Sequence, residues 1–374
     1  MKSEKYKRVV EKLLNMAGIK INGSHPWDIQ INNERFYKCV ITEVELGMGE
    51  SYMEGWWDAE KVDELICKII RAELQNKIKH NFKIAVQLAG FNLINMQSKR
   101  RAFIIGKKHY DLGNDLFQYM LDSRMNYSCG YWKDAKSLDE AQENKLDLIC
   151  KKIYLKPGMK ILDIGCGWGA FGKYVAEKND VEVTGITVSK EQAALGRKLC
   201  KGLPVEIKLQ DYREVNEQFD RIVSVGMFEH VGYKNYPEFF RIAEKNLRED
   251  GLFLLHTIGE VRSVKDSDAW THKYIFPNAM LPSISQIGKA IEGLFVMEDW
   301  HNIGADYDKT LMAWYQNFKN NWDKLKKKYG EGFYRMWKYF LLSSAGAFRA
   351  RNKNQLWQIV LSKNGVSGGY NSIR

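Results

Sequence analysis

Residues 160–169, Lys-Ile-Leu-Asp-Ile-Gly-Cys-Gly-Trp-Gly, form an apolar run that breaks into a loop with glycine at alternate positions, Gly165, Gly167 and Gly169. A chain leaving a parallel strand for a helix must turn tightly, and glycine lets the backbone approach a ligand with no Cβ in the way. The run therefore predicts a nucleotide-bearing cofactor at a strand end. A dinucleotide site reads G-x-G-x-x-G, with an acid about 20 residues on to hold a ribose. Here the third glycine comes one residue early, Asp163 sits inside the motif, and the second strand ends Val183-Thr184-Gly185-Ile186-Thr187 without a carboxylate. That set suits S-adenosylmethionine better than NAD, because a sulfonium amino acid needs loop carbonyls and a carboxylate rather than a pyrophosphate-binding helix end. Taken alone, the loop also fits a plain structural turn.

Strand-like runs recur at 182–186, 205–209, 221–225 and 252–256, separated by helical stretches such as 190–201 and 236–246. Strand and helix in alternation predict a doubly wound parallel sheet, with ligands gathered at the carboxyl ends of its strands. Asp163, Thr187, Asp211 and Glu229 follow the first four strands in this reading, and His256 closes the fifth.

With 374 residues, 45% hydrophobic and 28% charged, the chain reads as a folded protein with one large domain and a smaller one. No apolar run approaches 18 residues, and Met1-Lys2-Ser3-Glu4-Lys5 has no apolar signal core, so a cytoplasmic location is expected. Cys39, Cys67, Cys129, Cys150, Cys166 and Cys200 are scattered without a C-x-x-C pair, which argues against zinc and disulfides, and no metal is expected.

The net charge of +11 is unevenly laid down: no acid stands between Glu73 and Asp111, where Lys77, Lys79, Lys83, Lys99, Arg100, Arg101, Lys107 and Lys108 alternate with apolar residues. That mixture suits an anionic membrane surface, where each basic group contributes about 1 kcal/mol. RNA phosphate recruits the same side chains, and a solvated linker carries them as well.

Residues 1–95 read as a small mixed N-terminal domain. Tyr6, Val9, Val10, Leu13, Leu14 and Ala17 keep helical spacing up to Gly18, and Val62, Leu65, Ile66, Ile69 and Ile70 keep it again. Gly47, Gly49, Tyr52, Trp56 and Trp57 form a glycine and aromatic stretch between the two. Beyond Gly259 aromatics abound, including Trp270, Trp300, Tyr307, Trp314, Trp337 and Trp357. Their spacing reads mostly as helical core, and such an insertion can also line an apolar tunnel for an acyl chain.

Seven segments together resemble the cyclopropane fatty acid synthase family over nearly the whole chain. They are residues 46–57, His109-Tyr110-Asp111-Leu112-Gly113-Asn114-Asp115, Tyr127-Ser128-Cys129, 161–169, Gly226-Met227-Phe228-Glu229-His230-Val231-Gly232, Leu255-His256-Thr257-Ile258-Gly259 and Gly304-Ala305-Asp306-Tyr307-Asp308. The resemblance implies a Rossmann-like class I S-adenosylmethionine-dependent methyltransferase fold with an aromatic-rich helical insertion. It divides the chain into a lipid-docking or dimerisation domain (1–95), a basic linker (96–108) and a catalytic domain with an acyl pocket (109–374). It also implies methylene transfer from S-adenosylmethionine to the cis double bond of acyl chains in membrane phospholipid, by a homodimer on the inner face of the membrane.

The same resemblance implies a cofactor site of Tyr127, Ser128, Ile161, Leu162, Asp163, Gly165, Cys166, Gly167, Trp168, Gly169, Thr187, Gln192, Asp211 and Tyr212. There Thr187 and Gln192 hold the ribose, and Asp211 and Tyr212 flank the adenine. It further implies a bicarbonate cage walled by Cys129, Glu229, His256, the backbone of Ile258 and Tyr307. One departure is Ser344, standing before Ala345–Arg351 where the family often has cysteine.

Read singly, Cys129, His256 and Tyr307 also fit ordinary core positions, whereas a carboxylate at Glu229 after the apolar run 223–228 needs a partner if buried. His25, His109, His230 and His301 read as structural. Rival functions are methyl transfer without ring closure, giving a branched lipid or a methylated small amine, and a non-catalytic lipid-surface protein. An RNA methyltransferase is disfavoured, because Gly226-Met227-Phe228-Glu229 stands where amino-directed nucleic-acid enzymes carry Asn-Pro-Pro-Tyr.

Overall fold

A computed structural model describes residues 2–74, 113–264 and 268–374. The basic stretch 77–108, the boundaries at 95 and 108, and residues 109–112 of the family motif lie outside the described residues. Contacts gather the chain into two compact units, each assembled from separated stretches. One draws on Met1–Leu116, Ser267–Asn278 and Leu311–Lys353, the other on Phe117–Asp266, Ala279–Thr310 and Asn354–Arg374.

The first unit is mainly helical, with a two-stranded antiparallel sheet of β1 (Gln30–Ile31) and β2 (Trp57–Asp58). Its first helix, Lys2–Met16, stops ahead of Gly18, which takes the left-handed φ of +69°. Gly47 and Gly49, expected in a connecting stretch, lie instead inside the helix Arg35–Met53. Packing accounts for them: a Cβ on Gly49 would stand 2.3 Å from Trp270 Cδ1, and one on Gly47 2.5 Å from the Cys39 carbonyl. Around Gly49 the rings of Tyr52, Trp57, Trp270 and Tyr339 pack in a chain, with Tyr52–Trp57 at 4.9 Å and Trp270–Tyr339 at 4.8 Å. The long segment Trp322–Ala350 breaks at Gly330 (φ +77°), and its later part packs against the helix Val62–Arg71, where Arg349 pairs with Asp63.

The second unit is built on a seven-stranded sheet of β3 (Lys160–Ile164), β4 (Glu182–Thr187), β5 (Val205–Leu209), β6 (Phe219–Val225), β7 (Leu247–Glu260), β8 (Val296–Asn302) and β9 (Asn354–Ser362), in the order β5-β4-β3-β6-β7-β9-β8. The five predicted strands pair in parallel, whereas β8 and β9 pair antiparallel and extend the β7 edge. Alternate residues feed two buried faces. Leu162, Ile222, Phe253 and Ile359 meet the helix Tyr236–Asn246, and Ile161, Val223, Leu254 and Val360 meet the helix Ala170–Lys178. Each such side chain contributes about 1.5–3 kcal/mol.

Three expectations are corrected here. Asp163 lies within β3 rather than after it, and Trp300 and Trp357, read as helical, sit on β8 and β9 with their rings 5.0 Å apart. His256 does not end its strand. Pairing with β9 runs on from Leu252↔Ser362 to Glu260↔Asn354, carrying β7 four residues further. After β3 the chain builds β4 and β5 on one side, then returns to lay β6 on the other. The crevice between the carboxyl ends of β3 and β6 is the topological switch point where ligands bind on such sheets.

Candidate active site

The glycine loop opens at that crevice. Gly165 (φ +81°) and Gly167 (φ +56°) have left-handed backbone. A Cβ on Gly165 would stand 2.4 Å from Met227 Cβ, so the loop and the turn after β6 touch through the missing side chain. At Gly167 nothing lies within 4 Å of a Cβ position, which leaves backbone open to a ligand. The loop is tied to β4 by Gly165 and Cys166 N–H donating to the Ile186 carbonyl at 2.9 and 3.0 Å.

The remaining cofactor candidates border this loop in part. Thr187 donates to Gln192 Oε1 at 2.9 Å, so the proposed ribose pair is pre-joined. Ser128 lies beside the end of β6, its Cβ 3.8 Å from a Cβ position on Gly226. Trp168 and Tyr127 both pack on Phe117, with ring centroids at 5.0 Å. Tyr212 packs edge-on to Phe239, while the Asp211 carboxylate is already held bidentately by Arg213 at 2.8 and 2.7 Å. Ile161 and Leu162 are sheet core on opposite faces, and they position the loop rather than offering side chains to it. Burial pushes Asp163 up to about 7, opposed by the charge of Lys145.

The cage candidates other than Cys129 lie on the turn after β6, within the last part of β7 and at the start of the helix Ala305–Asn320. Glu229 lies on a short 3₁₀ turn after β6, where it is 6% exposed. Its Oε1 accepts from the Ile258 N–H at 2.7 Å, so the Ile258 donor is spent on Glu229. Burial pushes Glu229 up to about 7, and that N–H, the residue's own backbone and the Thr257 hydroxyl hold it from rising further. In its protonated form the carboxyl presents a proton on Oε2, a buried atom with no hydrogen-bond partner. His256 is equally buried, and burial followed by the charges of Lys145 and Lys152 keeps its ring neutral. Its cross-strand neighbour Gln358 places an amide nitrogen 3.4 Å from Nδ1, while Nε2 is buried and also has no partner.

Tyr307 enters from the start of the helix Ala305–Asn320. Burial and then the proximity of Cys129, Tyr127 and Glu229 raise its phenol well above the ordinary value, which keeps it a donor. The Cys129 thiol is differently used: it donates to the Gly130 carbonyl at 3.1 Å, and burial pushes it up, so it stays a thiol. Gly226 N–H donates to the His256 carbonyl at 2.9 Å, which joins the cradle turn to the cage.

Sequence reasoning missed the residues that hold Tyr127-Ser128-Cys129 in place. Gln142 and Lys145, both buried on the helix Leu138–Lys152, bind Ser128: Gln142 donates to its carbonyl at 2.8 Å and Lys145 to its hydroxyl at 2.9 Å. The available signal was their spacing, which puts both in the apolar stripe with Ala141, Leu146 and Ile149. Among the described residues, no group of three or more His, Cys, Asp or Glu could hold a metal, no helix is long and apolar enough to cross a membrane, and all six cysteines are free.

A sheet wound this way, with an acid in its first strand and a glycine loop at the switch point, defines a class I S-adenosylmethionine-dependent methyltransferase. The family model described as mycolic acid cyclopropane synthetase matches residues 97–359. The chain is 54% identical over 367 residues to the cyclopropane-fatty-acyl-phospholipid synthase of Escherichia coli K12, covering 98% of this chain and 96% of that one. Two solved structures share the fold. The cyclopropane synthase MmaA2 from Mycobacterium tuberculosis has a TM-score of 0.64 and 32% identity over 68% of this chain and 96% of its own. Mycolic acid cyclopropane synthase CmaA1, complexed with SAH and CTAB, has a TM-score of 0.64 and 34% identity over the same shares. The chain belongs to the cyclopropane-fatty-acyl-phospholipid synthase family of S-adenosylmethionine-dependent enzymes.

Proposed function

We propose that the chain transfers a methylene from S-adenosylmethionine to the cis double bond of an unsaturated acyl chain in a membrane phospholipid, with bicarbonate held in the cage. The observation that carries this reading is the buried donor set: Glu229 Oε2 and His256 Nε2 lack partners, and the Tyr307 phenol is kept protonated beside Glu229. Buried polar groups are rarely left unmade, and side chains of these kinds suit a small oxyanion. When bound, S-adenosylmethionine supplies the electrophilic methyl group and bicarbonate the base.

The residues of the chain do the rest. An alkene is a weak nucleophile, so the cradle of Tyr127, Ser128, Asp163, the glycine loop, Thr187 and Gln192 acts chiefly by placing the methyl carbon in line with the double bond. Transfer leaves a carbocation on the acyl chain, and ring closure requires loss of a proton from the added methyl within a site free of water. A free side-chain carboxylate beside that cation would be open to capture as an ester. Glu229, raised toward neutrality and tied to Ile258, instead serves to orient the ion with His256 and Tyr307, and Cys129 forms the adjoining wall.

The regional roles expected from the sequence complete the proposal: residues 1–95 dock or dimerise, 96–108 meet anionic lipid at the inner face of the membrane, and 109–374 catalyse. The test is incubation with labelled S-adenosylmethionine and unsaturated phospholipid vesicles, followed by extraction and mass analysis. A product heavier by CH₂ with no remaining double bond is expected. A methyl-branched product of the same mass that keeps a double bond, seen on hydrogenation or oxidative cleavage of the extracted lipid, or label in a water-soluble amine, would overturn it.

A further inference from the structure

Lys145 is 1% exposed, yet it carries an ammonium into the interior of the catalytic unit. Two of its three N–H groups are placed: one on Asn126 Oδ1 at 3.0 Å, the other on Ser128 Oγ at 2.9 Å. Asn126 in turn donates through its amide to Asp122 Oδ2 at 2.8 Å, and its backbone N–H reaches Asp122 Oδ1 at 2.7 Å. The ammonium is thus anchored from behind by a neutral amide that leads to a buried acid. Its forward contact is the serine hydroxyl beside Gly226.

A hydroxyl has one proton to give and accepts through its lone pairs. Because Ser128 Oγ accepts from an ammonium, its own proton is free to be donated elsewhere, and the charge behind it makes that donation stronger. Gln142 Nε2, bound to the Ser128 carbonyl at 2.8 Å, fixes the backbone from which the hydroxyl projects. Ser128 is 7% exposed and lies beside Gly226 at the end of β6. A polarised O–H donor of this kind selects an anionic acceptor. In a sulfonium amino acid nucleoside the anionic group is the carboxylate of the amino-acid tail.

We infer that Lys145 is a positioning residue that acts through Ser128 to recognise the carboxylate of the cofactor's amino-acid tail. This rests on the assignment of the cradle to S-adenosylmethionine. Lys145 touches neither the nucleoside nor the reacting carbon. It sets the donor character of Ser128 and supplies the positive charge that makes a carboxylate the preferred ligand.

The test is calorimetric titration with two probes, S-adenosylhomocysteine and methylthioadenosine, the second being the same nucleoside thioether without the amino-acid tail. Lys145→Met should weaken S-adenosylhomocysteine about tenfold or more, the worth of a hydrogen bond to a charged group. Its affinity for methylthioadenosine should stay within about twofold of the parent protein. Lys145→Arg, which restores the charge, should recover S-adenosylhomocysteine binding in part. Ser128→Ala keeps the ammonium in place and should show the same selective loss, so it carries the test if Lys145→Met does not fold. Equal weakening of both probes would reduce Lys145 to a structural role, and unchanged binding of both would remove it from recognition. If the parent protein bound neither probe, the cradle assignment itself would fall, and this inference with it.

Discussion

The cradle and the cage share one crevice but are finished differently. In the cradle several polar side chains are already joined within the chain: Thr187 to Gln192, Ser128 to Lys145 and Asp211 to Arg213. A few residues away, Glu229 Oε2 and His256 Nε2 are buried with nothing to bind. Leaving such atoms unmade costs roughly 1–3 kcal/mol each, a cost that the proposed ion would offset. A surface that completes itself is pre-organised for a large ligand with many weak contacts. A surface left incomplete reserves its strongest contacts for the reaction centre.

Glu229→Gln puts the greatest strain on that contrast. The amide keeps the shape and the contact to Ile258, yet it presents its Oε2 position as a fixed neutral group that cannot share a proton with a bound ion. Turnover should fall about a hundredfold or more, the usual worth of a positioned acid–base group, while S-adenosylhomocysteine affinity is held. Rapid-quench product formation and calorimetry on the same protein check both halves. Turnover that survives unchanged would mean the orphaned atoms are a packing accident and the two regions do not differ in kind.

The same substitution has a smaller signature in stability. An acid whose folded value is raised from 4.5 to about 7 by burial favours the fold most below pH 4.5, and the advantage is lost as pH rises through 7, because the unfolded chain gives up its proton first. A rise of that size is worth about 3 kcal/mol. Glu229→Gln escapes the loss, so in bicarbonate-free buffer its melting temperature relative to the parent should climb between pH 5 and pH 8. Asp163, also raised, is present in both proteins and drops out of the difference. A pH-independent difference would place Glu229 in a better solvated setting than its burial indicates.

Legibility in the sequence follows the same divide. The parallel strands announce themselves as short β-branched and apolar runs, and the glycines of 165–169 mark the turn that holds the cofactor. β8, with Glu298, Asp299, His301 and Asn302 in seven residues, carries no such run, and β9 was hidden because Trp357 reads as readily on a helix as on a strand. His256 closed the apolar run 252–256, and only pairing to β9 shows that the strand continues. The cage residues were named through the family resemblance, since Cys129, Glu229, His256 and Tyr307 are separated by up to 178 residues and no local spacing joins them. Lys145 was passed over for a physical reason: a lysine on a helix is usually at the surface, and its burial is decided by partners 17 and 19 residues away.

The smallest effect belongs to the cradle, and it separates the two regions from the other side. Thr187→Val keeps the branched shape on β4 but removes the hydroxyl that donates to Gln192 Oε1 and accepts from the Ser189 N–H at 3.2 Å. Loss of these two neutral hydrogen bonds beside the proposed ribose site should cost about 1 kcal/mol, or roughly fivefold in cofactor affinity. Because that contact is made equally before and during methyl transfer, KM for S-adenosylmethionine should rise while kcat at saturation stays where it was. Glu229→Gln should give the reverse pattern. If Thr187→Val instead lowers kcat at saturating cofactor, the cradle is positioning the reacting carbon through this one side chain, and the division between a self-completed binding surface and an open reaction centre has been drawn in the wrong place.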